Sequence, residues 1–140
     1  YRSADKSFVN AQRITTSQTI TDNTTTDVVF NSEITDTNSE YSTSTGIFTA
    51  NEPRRVSVVA QVRTATGTVG DTWEMAVSYD NGYIEQRFET VSKAGEFTIA
   101  ATGFVEMRVG KTLRIKVRQV SGSSDDITAG DMTYLRIMEV

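Results

Sequence analysis

The sequence has no cysteine and no histidine among its 140 residues. Without cysteine, the chain can form neither a disulfide nor a thiolate metal site. Without histidine, it lacks the commonest protein metal ligand and the commonest general base. The Ser-His and Cys-His classes of nucleophilic enzyme are therefore excluded.

Basic charge is also scarce, since 14 Lys and Arg residues stand against 18 Asp and Glu residues, for a formal net charge of -4. Nucleic-acid-binding domains usually carry a basic balance, so nucleic acid is not an expected partner. The sequence contains no apolar run of about 18 residues, and we expect no membrane insertion. The chain starts at Tyr1 without a signal-like segment, so we expect a trimmed fragment or the end of a longer protein, with residues 1–7 ending an upstream stalk or linker.

Threonine, serine and valine are abundant along the chain, and its length suits one domain with one core. Helical periodicity is nearly absent, whereas apolar and polar residues alternate in many segments. Residues 71–80 alternate most clearly, and Asn81-Gly82 after them predicts a hairpin. We predict about eight to ten short strands. They lie at residues 6–14, 27–31, 46–49, 55–64, 71–80, 83–91, 96–101 with its continuation at 104–109, 113–117 and 133–140, and the Thr-rich stretch 15–26 has room for one more short strand near Ile20.

The last predicted strand is apolar on both of its faces. Tyr134, Met138 and Val140 lie on one face, and Leu135 and Ile137 lie on the other. A strand with one solvated face should be polar on that face, so both faces are expected to be covered. In a one-domain chain the cover is either another subunit or, for a central strand, a loop of the same chain.

Residues 27–55 follow an order that no catalytic motif explains. An apolar stretch ends in phenylalanine and asparagine, and a polar turn and a tyrosine follow. A Thr-Gly-x-Phe-Thr motif then precedes a proline that begins the next strand. These fold-motif residues are Phe30, Asn31, Tyr41, Gly46, Phe48 and Pro53. The order resembles the globular head of the complement component 1q family, which is related in fold to tumour necrosis factor, and the later segments agree with that family in character.

The resemblance implies an all-β, ten-stranded antiparallel jelly-roll sandwich that occupies residues 1–140 as one domain and assembles as a homotrimer. Such heads usually cap a collagen-like, coiled-coil or fibrous stalk, bind partners through loops or grooves, and mostly lack enzymatic activity. The cysteine-free, Thr-, Ser- and Asn-rich composition is similar to that of the bacterial and bacteriophage members. The predicted trimer-interface residues are Tyr134, Met138, Val140, Phe104 and Val59.

The chain departs from the family pattern at three positions. Arg54 replaces the glycine that follows the proline, so a left-handed backbone is not expected there. Val56 replaces a tyrosine, which removes an aromatic side chain from the core. Lys111 replaces an aspartate in the turn after Gly110, which inverts a charge.

Several other residues suggest sites, each with a simpler structural explanation. Trp73 could stack on a sugar, but its shared face with Met75 and Val77 favours a core position. Asp125 and Asp126 form the best oxygen-rich loop for calcium, although a solvated acidic loop explains them as well. The acidic run Glu33, Asp36 and Glu40 has the same two interpretations.

Arg114, Lys116 and Arg118 form a basic stripe that contacts either an anionic glycan or acidic residues of neighbouring strands. The triplet at residues 23–25 is a formal N-glycosylation sequence, whose use needs a secretory origin.

Paired carboxylates could make a carbohydrate-active enzyme. The candidates Glu74, Glu85 and Glu89 are expected on outward strand faces without a concave cluster.

We therefore expect a non-enzymatic head domain of an extracellular or virion-surface protein, such as a bacteriophage fibre or tail protein. Its role would be trimerisation and recognition of a host surface glycan or protein. The alternatives are a structural component without a ligand, and a carbohydrate-binding or carbohydrate-active jelly roll. No cofactor is expected apart from calcium at Asp125 and Asp126.

Overall fold

The computed structural model describes residues 6–140, and the regular elements in that range are all β-strands. Of the expected stalk end at residues 1–7, only Lys6 and Ser7 fall within the described range. Residues 6–140 include no helix long and apolar enough to cross a membrane. The strands are β1 (Phe8–Arg13), β2 (Gln18–Ile20), β3 (Thr26–Asp27), β4 (Ser32–Asp36), β5 (Ile47–Thr49), β6 (Arg54–Gly67), β7 (Thr72–Tyr79), β8 (Gly82–Thr90), β9 (Gly95–Met107), β10 (Thr112–Val120), β11 (Asp125–Ile127) and β12 (Gly130–Glu139).

Most of these strands form two antiparallel sheets of five strands each. The first, which we call the front sheet, has the order β4-β1-β12-β6-β9. The second, the back sheet, has the order β3-β10-β7-β8, and β5 also pairs with β10. The ten strands of these sheets agree with the predicted sandwich, and β2 and β11 form a small additional ladder.

The core lies between the two sheets, because each sheet turns one apolar face inward. Trp73 is 2% exposed, and its ring centroid lies 6.5 Å from that of Phe97, so the core position predicted for Trp73 is confirmed. Each large buried apolar side chain contributes about 1.5–3 kcal/mol, which makes this layer the main source of stability. The inward-facing residues of the long strands include Val56, Val58, Ala60, Val62, Met75, Val77, Leu113, Ile115, Val117, Leu135 and Ile137.

The predicted hairpin connects β7 to β8, but its turn is centred one residue earlier than the Asn-Gly pair. Tyr79 pairs directly with Gly82, so the two turn residues are Asp80 and Asn81. Both have positive φ angles, 50° and 66°. Two consecutive left-handed residues are characteristic of a type I′ turn, in which Asp and Asn are well tolerated.

The polar segment 32–44, which contains the polar turn of the sequence motif and no predicted strand, begins with a strand. This strand, β4, pairs with β1 and forms one edge of the front sheet. Conversely, the strand predicted at residues 27–31 is reduced to the two-residue β3, which ends at Asp27. Polar side chains suit an edge strand because its outer backbone and one of its faces remain in solvent. Composition alone therefore did not distinguish this edge strand from a loop.

The fold-motif residues join the segment before β4 to the neighbouring loops. The Asn31 side chain accepts a hydrogen bond from the Ile14 N–H at 2.7 Å and donates one to the Ile14 carbonyl at 3.1 Å. The Tyr41 hydroxyl accepts a hydrogen bond from the Phe30 N–H at 3.1 Å, and the Tyr41 backbone pairs with Phe48. Burial raises the pKa of Tyr41, so its hydroxyl stays neutral in this position.

Gly46 occupies a position in this motif that requires glycine. Its φ angle is 77°, which lies in the left-handed region. A β-carbon at Gly46 would also collide with the carbonyl oxygen of Val28. The glycine therefore lets the chain pass close to residue 28 before β5 enters the back sheet.

Arg54, which replaces a family glycine, begins β6 and belongs to a buried group that we call the Arg54 cluster. Its guanidinium donates hydrogen bonds to the carboxylates of Glu40 and Glu139, both at 2.8 Å. Asn51 Oδ1 accepts a third bond from Arg54 at 2.8 Å, and the Ser7 hydroxyl donates to Glu40 at 2.7 Å. Arg54, Glu40 and Glu139 are at most 8% exposed. The cluster thus fastens the ends of β6 and β12 to the loop that follows β4.

Candidate interaction surface

The outward side of the front sheet, which we call the front face, is formed by the residues of β1, β12, β6 and β9 that point away from the core. Residues directly opposite each other in an antiparallel ladder have adjacent side chains, so each cross-strand row is continuous. The rows are Phe8, Met138, Ser57 and Phe104; then Asn10, Arg136, Val59 and Thr102; then Gln12, Tyr134, Gln61 and Ala100.

The structure brings the predicted trimer-interface residues together on this surface. Phe104, Met138, Val59 and Tyr134 belong to the three rows. Val140 follows β12 directly at one end of the face. Phe104 is 56% exposed, Met138 51% and Val140 63%. Large apolar side chains that are exposed next to one another mark an interaction surface rather than an ordinary solvated sheet.

Ion pairs close both ends of the front face. Arg55 and Glu106 lie 3.1 Å apart beyond the first row, and both side chains are well exposed. Arg63 and Glu96 form an ion pair beyond the third row. Between these ends, the side chains of the three described rows are apolar or uncharged, with Arg136 as the one exception. The front face is therefore an apolar strip with charged margins.

The strand β8 is a free edge of the back sheet. Nearly all of its residues are exposed, on both sides of the strand. They include the apolar residues Tyr83, Ile84 and Phe88. A strand with one unpaired edge and exposed apolar side chains is a second candidate surface for association with another chain.

Glu85 and Glu89, expected on an outward face, lie on the inward side of β8. They are opposite Val77 and Trp73, whose side chains enter the core. At the edge of the sandwich, however, this direction leads to a solvent-open cleft of about 310 Å³. The expectation that these carboxylates have no concave surroundings is therefore wrong. We call this concavity the Glu85 cleft, and it is lined by Gln61, Glu85, Arg87, Glu89, Thr98, Ala100, Ala101 and Thr102.

Each residue of the basic stripe forms an ion pair within the back sheet. Arg114 and Lys116 lie 3.1 Å and 3.6 Å from the Asp27 carboxylate. Arg118 lies 3.2 Å from the Glu74 carboxylate, which places Glu74 on the outward face, as expected. These pairs match the structural explanation of the stripe, and its contact with an anionic ligand stays a prediction.

The turn that contains the formal glycosylation sequence is tied to the loop after β10. Asn23 is exposed there, and its side-chain oxygen accepts a hydrogen bond from Arg118 at 2.8 Å. The Asp22 carboxylate accepts hydrogen bonds from the N–H groups of Ser121 and Gly122 at 2.9 Å and 3.0 Å. Both hydrogen bonds lower the pKa of the Asp22 carboxyl, and the bond from Ser121 has the larger effect.

The calcium candidates Asp125 and Asp126 are not equivalent. Asp125 is 8% exposed, and its Oδ1 accepts hydrogen bonds from the hydroxyls of Thr64 at 2.9 Å and Thr66 at 2.8 Å. The same oxygen accepts the N–H of Asp126, whose own side chain is exposed. Across residues 6–140, no three or more acidic, histidine or cysteine side chains are grouped so that they could hold a metal. Calcium binding here stays a prediction.

The acidic run Glu33, Asp36 and Glu40 is divided among separate roles. Glu40 belongs to the Arg54 cluster. Asp36 accepts the N–H groups of Glu40 and Tyr41 at 3.1 Å and 2.9 Å. Glu33 is exposed on β4. The contacts of Glu40 and Asp36 support the structural interpretation of this run.

Replacing Asp125 by alanine is expected to lower the free energy of unfolding by about 1–3 kcal/mol, because the buried Thr64 hydroxyl loses its acceptor. Urea denaturation of both proteins measures the difference. The matched control is Asp126→Ala, an exposed carboxylate in the next position, for which a change within about 0.5 kcal/mol is expected. Equal losses in the two variants would contradict the assigned role of Asp125.

The arrangement of two packed antiparallel sheets defines a jelly-roll protein with an apolar outer face. No protein-family model and no curated protein matches this sequence. Among solved structures, the globular domain of zebrafish complement 1qA has a TM-score of 0.68 at 13% identity, over 94% of this chain and 95% of that one. Murine APRIL at pH 5.0 has a TM-score of 0.74 at 12% identity, over 97% and 100%. The Eiger TNF from S. frugiperda has a TM-score of 0.67 at 11% identity, over 96% and 92%.

These similarities show that the chain has the jelly-roll fold shared by complement 1q and tumour-necrosis-factor-like domains. The fold expected from the order of residues 27–55 is therefore confirmed. Identities of 11–13% establish the fold alone. What the chain binds and how it assembles depend on its own surfaces.

Proposed function

We propose that three copies of this chain associate through their front faces to form a non-enzymatic homotrimeric head domain. The head belongs to an extracellular or virion-surface protein and recognises a host surface glycan or protein. Phage-fibre or tail-protein membership rests on the cysteine-free, Thr- and Ser-rich composition. Such a domain acts by assembly and by its loops, without a chemical centre.

The observation that carries the proposal is the exposed apolar strip of the front face. Phe104, Met138 and Val140 are each more than half exposed in the single chain. Full burial of a side chain of this size contributes about 1.5–3 kcal/mol, an interface that covers the exposed part supplies the corresponding fraction, and every trimer contains three copies of each. The jelly-roll heads that this sequence resembles assemble as homotrimers, which supports a ring of three over other numbers.

The absence of enzymatic activity is supported by the carboxylates themselves. Glu74 pairs with Arg118, and Glu89 pairs with Arg87 at 2.8 Å. Glycoside hydrolysis needs two carboxyl groups that flank the scissile bond and act as acid and base or nucleophile. Among the described residues, only Glu85 of the three candidates has no ion-pair partner, and one free carboxylate does not supply both roles.

Size-exclusion chromatography with light scattering tests the assembly. We expect a mass of three times 15.4 kDa. A monomer at micromolar concentration would refute the trimeric head. Binding of the trimer to a glycan array or to host cells tests recognition.

Blank arrays across plausible hosts would favour the alternative of a structural component without a ligand. The ion pairs of the basic stripe favour that alternative, because they neutralise the most obvious anion-binding residues. Turnover of a polysaccharide that is lost in Glu85→Gln would instead overturn both candidates.

A further inference from the structure

We propose that Arg136 of one subunit inserts into the Glu85 cleft of the next subunit and pairs with Glu85, so that the cleft is a docking site for a second copy of this chain. The inference rests on the proposed trimer and goes further, because it names the contact that orients neighbouring subunits. Arg136 lies on β12 of the front sheet and Glu85 on β8 of the back sheet, and the described residues form no ion pair between them within one chain. The cleft meets the front face at Ala100 and Thr102.

Arg136 is a cation without an acidic partner on an otherwise uncharged surface. Its neighbours across the ladder are Asn10 and Val59, and no carboxylate of residues 6–140 is within ion-pair distance. Its guanidinium carbon lies 4.4 Å from the centroid of the Tyr134 ring. This cation–π contact holds the side chain in one orientation before any partner arrives, which lowers the entropy lost on binding.

Glu85 is the complementary group at the sheet edge. Arg87, its neighbour in the cleft, is already paired with Glu89 at 2.8 Å. Among the described residues, Glu85 has no cation within ion-pair distance, so the cleft carries one net negative charge. The cleft is large enough for a long side chain, at about 310 Å³, and small residues such as Ala100 and Thr98 form part of its lining.

The two surfaces also have matching apolar borders. Arg136 is flanked on the front face by Val59 and by the row that contains Met138 and Phe104. On β8, the exposed Ile84 adjoins Glu85. Apolar contacts around a charged pair exclude water and thereby strengthen it.

Because the face and the edge are different patches, a contact between them is heterologous and closes into a ring when the rotation allows. An isologous dimer formed face to face would instead place equivalent residues around a two-fold axis. If that axis passed near Arg136, the two copies of Arg136 would approach each other rather than Glu85. Charge complementarity thus favours a face-to-edge ring, which agrees with the proposed trimer.

Charge reversal and charge exchange test the pair. Arg136→Glu and Glu85→Arg each place like charges across the interface and are expected to raise the concentration for half-assembly by at least about tenfold. The double variant restores opposite charges and is expected to return within about threefold of the unmodified protein. Analytical ultracentrifugation over a dilution series measures assembly, and circular dichroism verifies that each variant is folded.

The matched controls are Arg108→Glu and Asp126→Arg, which make the same charge changes at exposed positions outside both surfaces, and they are expected to assemble normally. If the unmodified protein is a trimer but the exchange does not rescue assembly, the Arg136–Glu85 contact is wrong while the trimer stands. If the unmodified protein is monomeric, the proposed function fails first. The contact is supported if both single variants assemble poorly while the double variant and the two controls assemble normally.

Discussion

Arg54→Ala is expected to lower the free energy of unfolding by about 3–5 kcal/mol, among the largest effects of any single substitution in this chain. The Arg54 side chain is 1% exposed, and its guanidinium binds the carboxylates of Glu40 and Glu139, whose side chains are inaccessible to solvent. Alanine would leave both carboxylates buried without their cation. The loss is therefore the cost of unpaired buried charge, not only that of the missing hydrogen bonds.

Urea denaturation followed by circular dichroism measures this loss. Arg55→Ala is the matched control, because Arg55 is the next residue and pairs with Glu106 at 3.1 Å in a well-exposed position. Exposed pairs contribute about 0–1 kcal/mol, so the control should remain close to the unmodified protein. Similar destabilisation by the two variants would contradict the burial and pairing assigned to Arg54.

Met138→Asp is expected to dissociate the trimer into folded monomers at micromolar concentration. Within the assembly, the new carboxylate would be buried between Phe8, Ser57 and the adjoining subunit, in a row that contains no cation. Arg136 in the next row would already be engaged with the neighbouring subunit in the proposed contact, so the cost is several kcal/mol per copy. Each 1.4 kcal/mol is about a tenfold change in a dissociation constant, and the substitution occurs in every subunit. The single chain tolerates it because Met138 is 51% exposed there.

Light scattering after size exclusion measures the mass, and thermal unfolding verifies the fold. Val109→Asp introduces the same charge at a residue that is 59% exposed in the turn between β9 and β10, away from the front face. That control is expected to remain trimeric. A trimeric Met138→Asp variant, or dissociation of both variants, would contradict the placement of the interface.

Local periodicity predicted the elements that are half-buried in the sandwich. The alternation of β7 correctly placed Trp73 in the core, and in β10 the apolar residues Leu113 and Ile115, which alternate with the basic stripe, are buried as well. In β12, Leu135 and Ile137 were predicted from their spacing to share one face, and both are buried. A period of two reports which side of a strand is covered, and for these strands the covering layer is the opposite sheet.

Contacts between distant segments could not be predicted in the same way. Glu40 and Glu139 are separated from Arg54 by 14 and 85 residues, and no local pattern links them. The two charged residues within residues 134–140 of the chain illustrate the point. Glu139 faces inward to the Arg54 cluster, whereas Arg136 faces outward. The alternation of the sequence shows which face of the strand each residue occupies. It does not show the partner of either residue, which depends on the loop or subunit that lies opposite.

The Glu85 cleft was missed for a related reason. Continuing the register from Tyr79 and Gly82 through the hairpin places Glu85 opposite Ala76, on the outward face. A register shift between Val77 and Ser78 instead sets Glu85 opposite Val77, on the inward side. In the middle of a sheet, that direction means the core, where an unpaired carboxylate is excluded. Only the position of β8 at the edge of the sandwich turns the inward side into an open cleft.

The unlike character of the two docking surfaces has a combinatorial consequence. Chains with only Arg136 reversed and chains with only Glu85 reversed complement each other at every junction where the two kinds meet. Strict alternation of the two kinds is compatible with any ring that has an even number of members. In a ring of three, two chains of the same kind must always be adjacent, so one like-charged junction remains. A mixture of the two variants can therefore form an even-numbered ring with opposite charges at every junction, but not an odd-numbered ring such as a trimer.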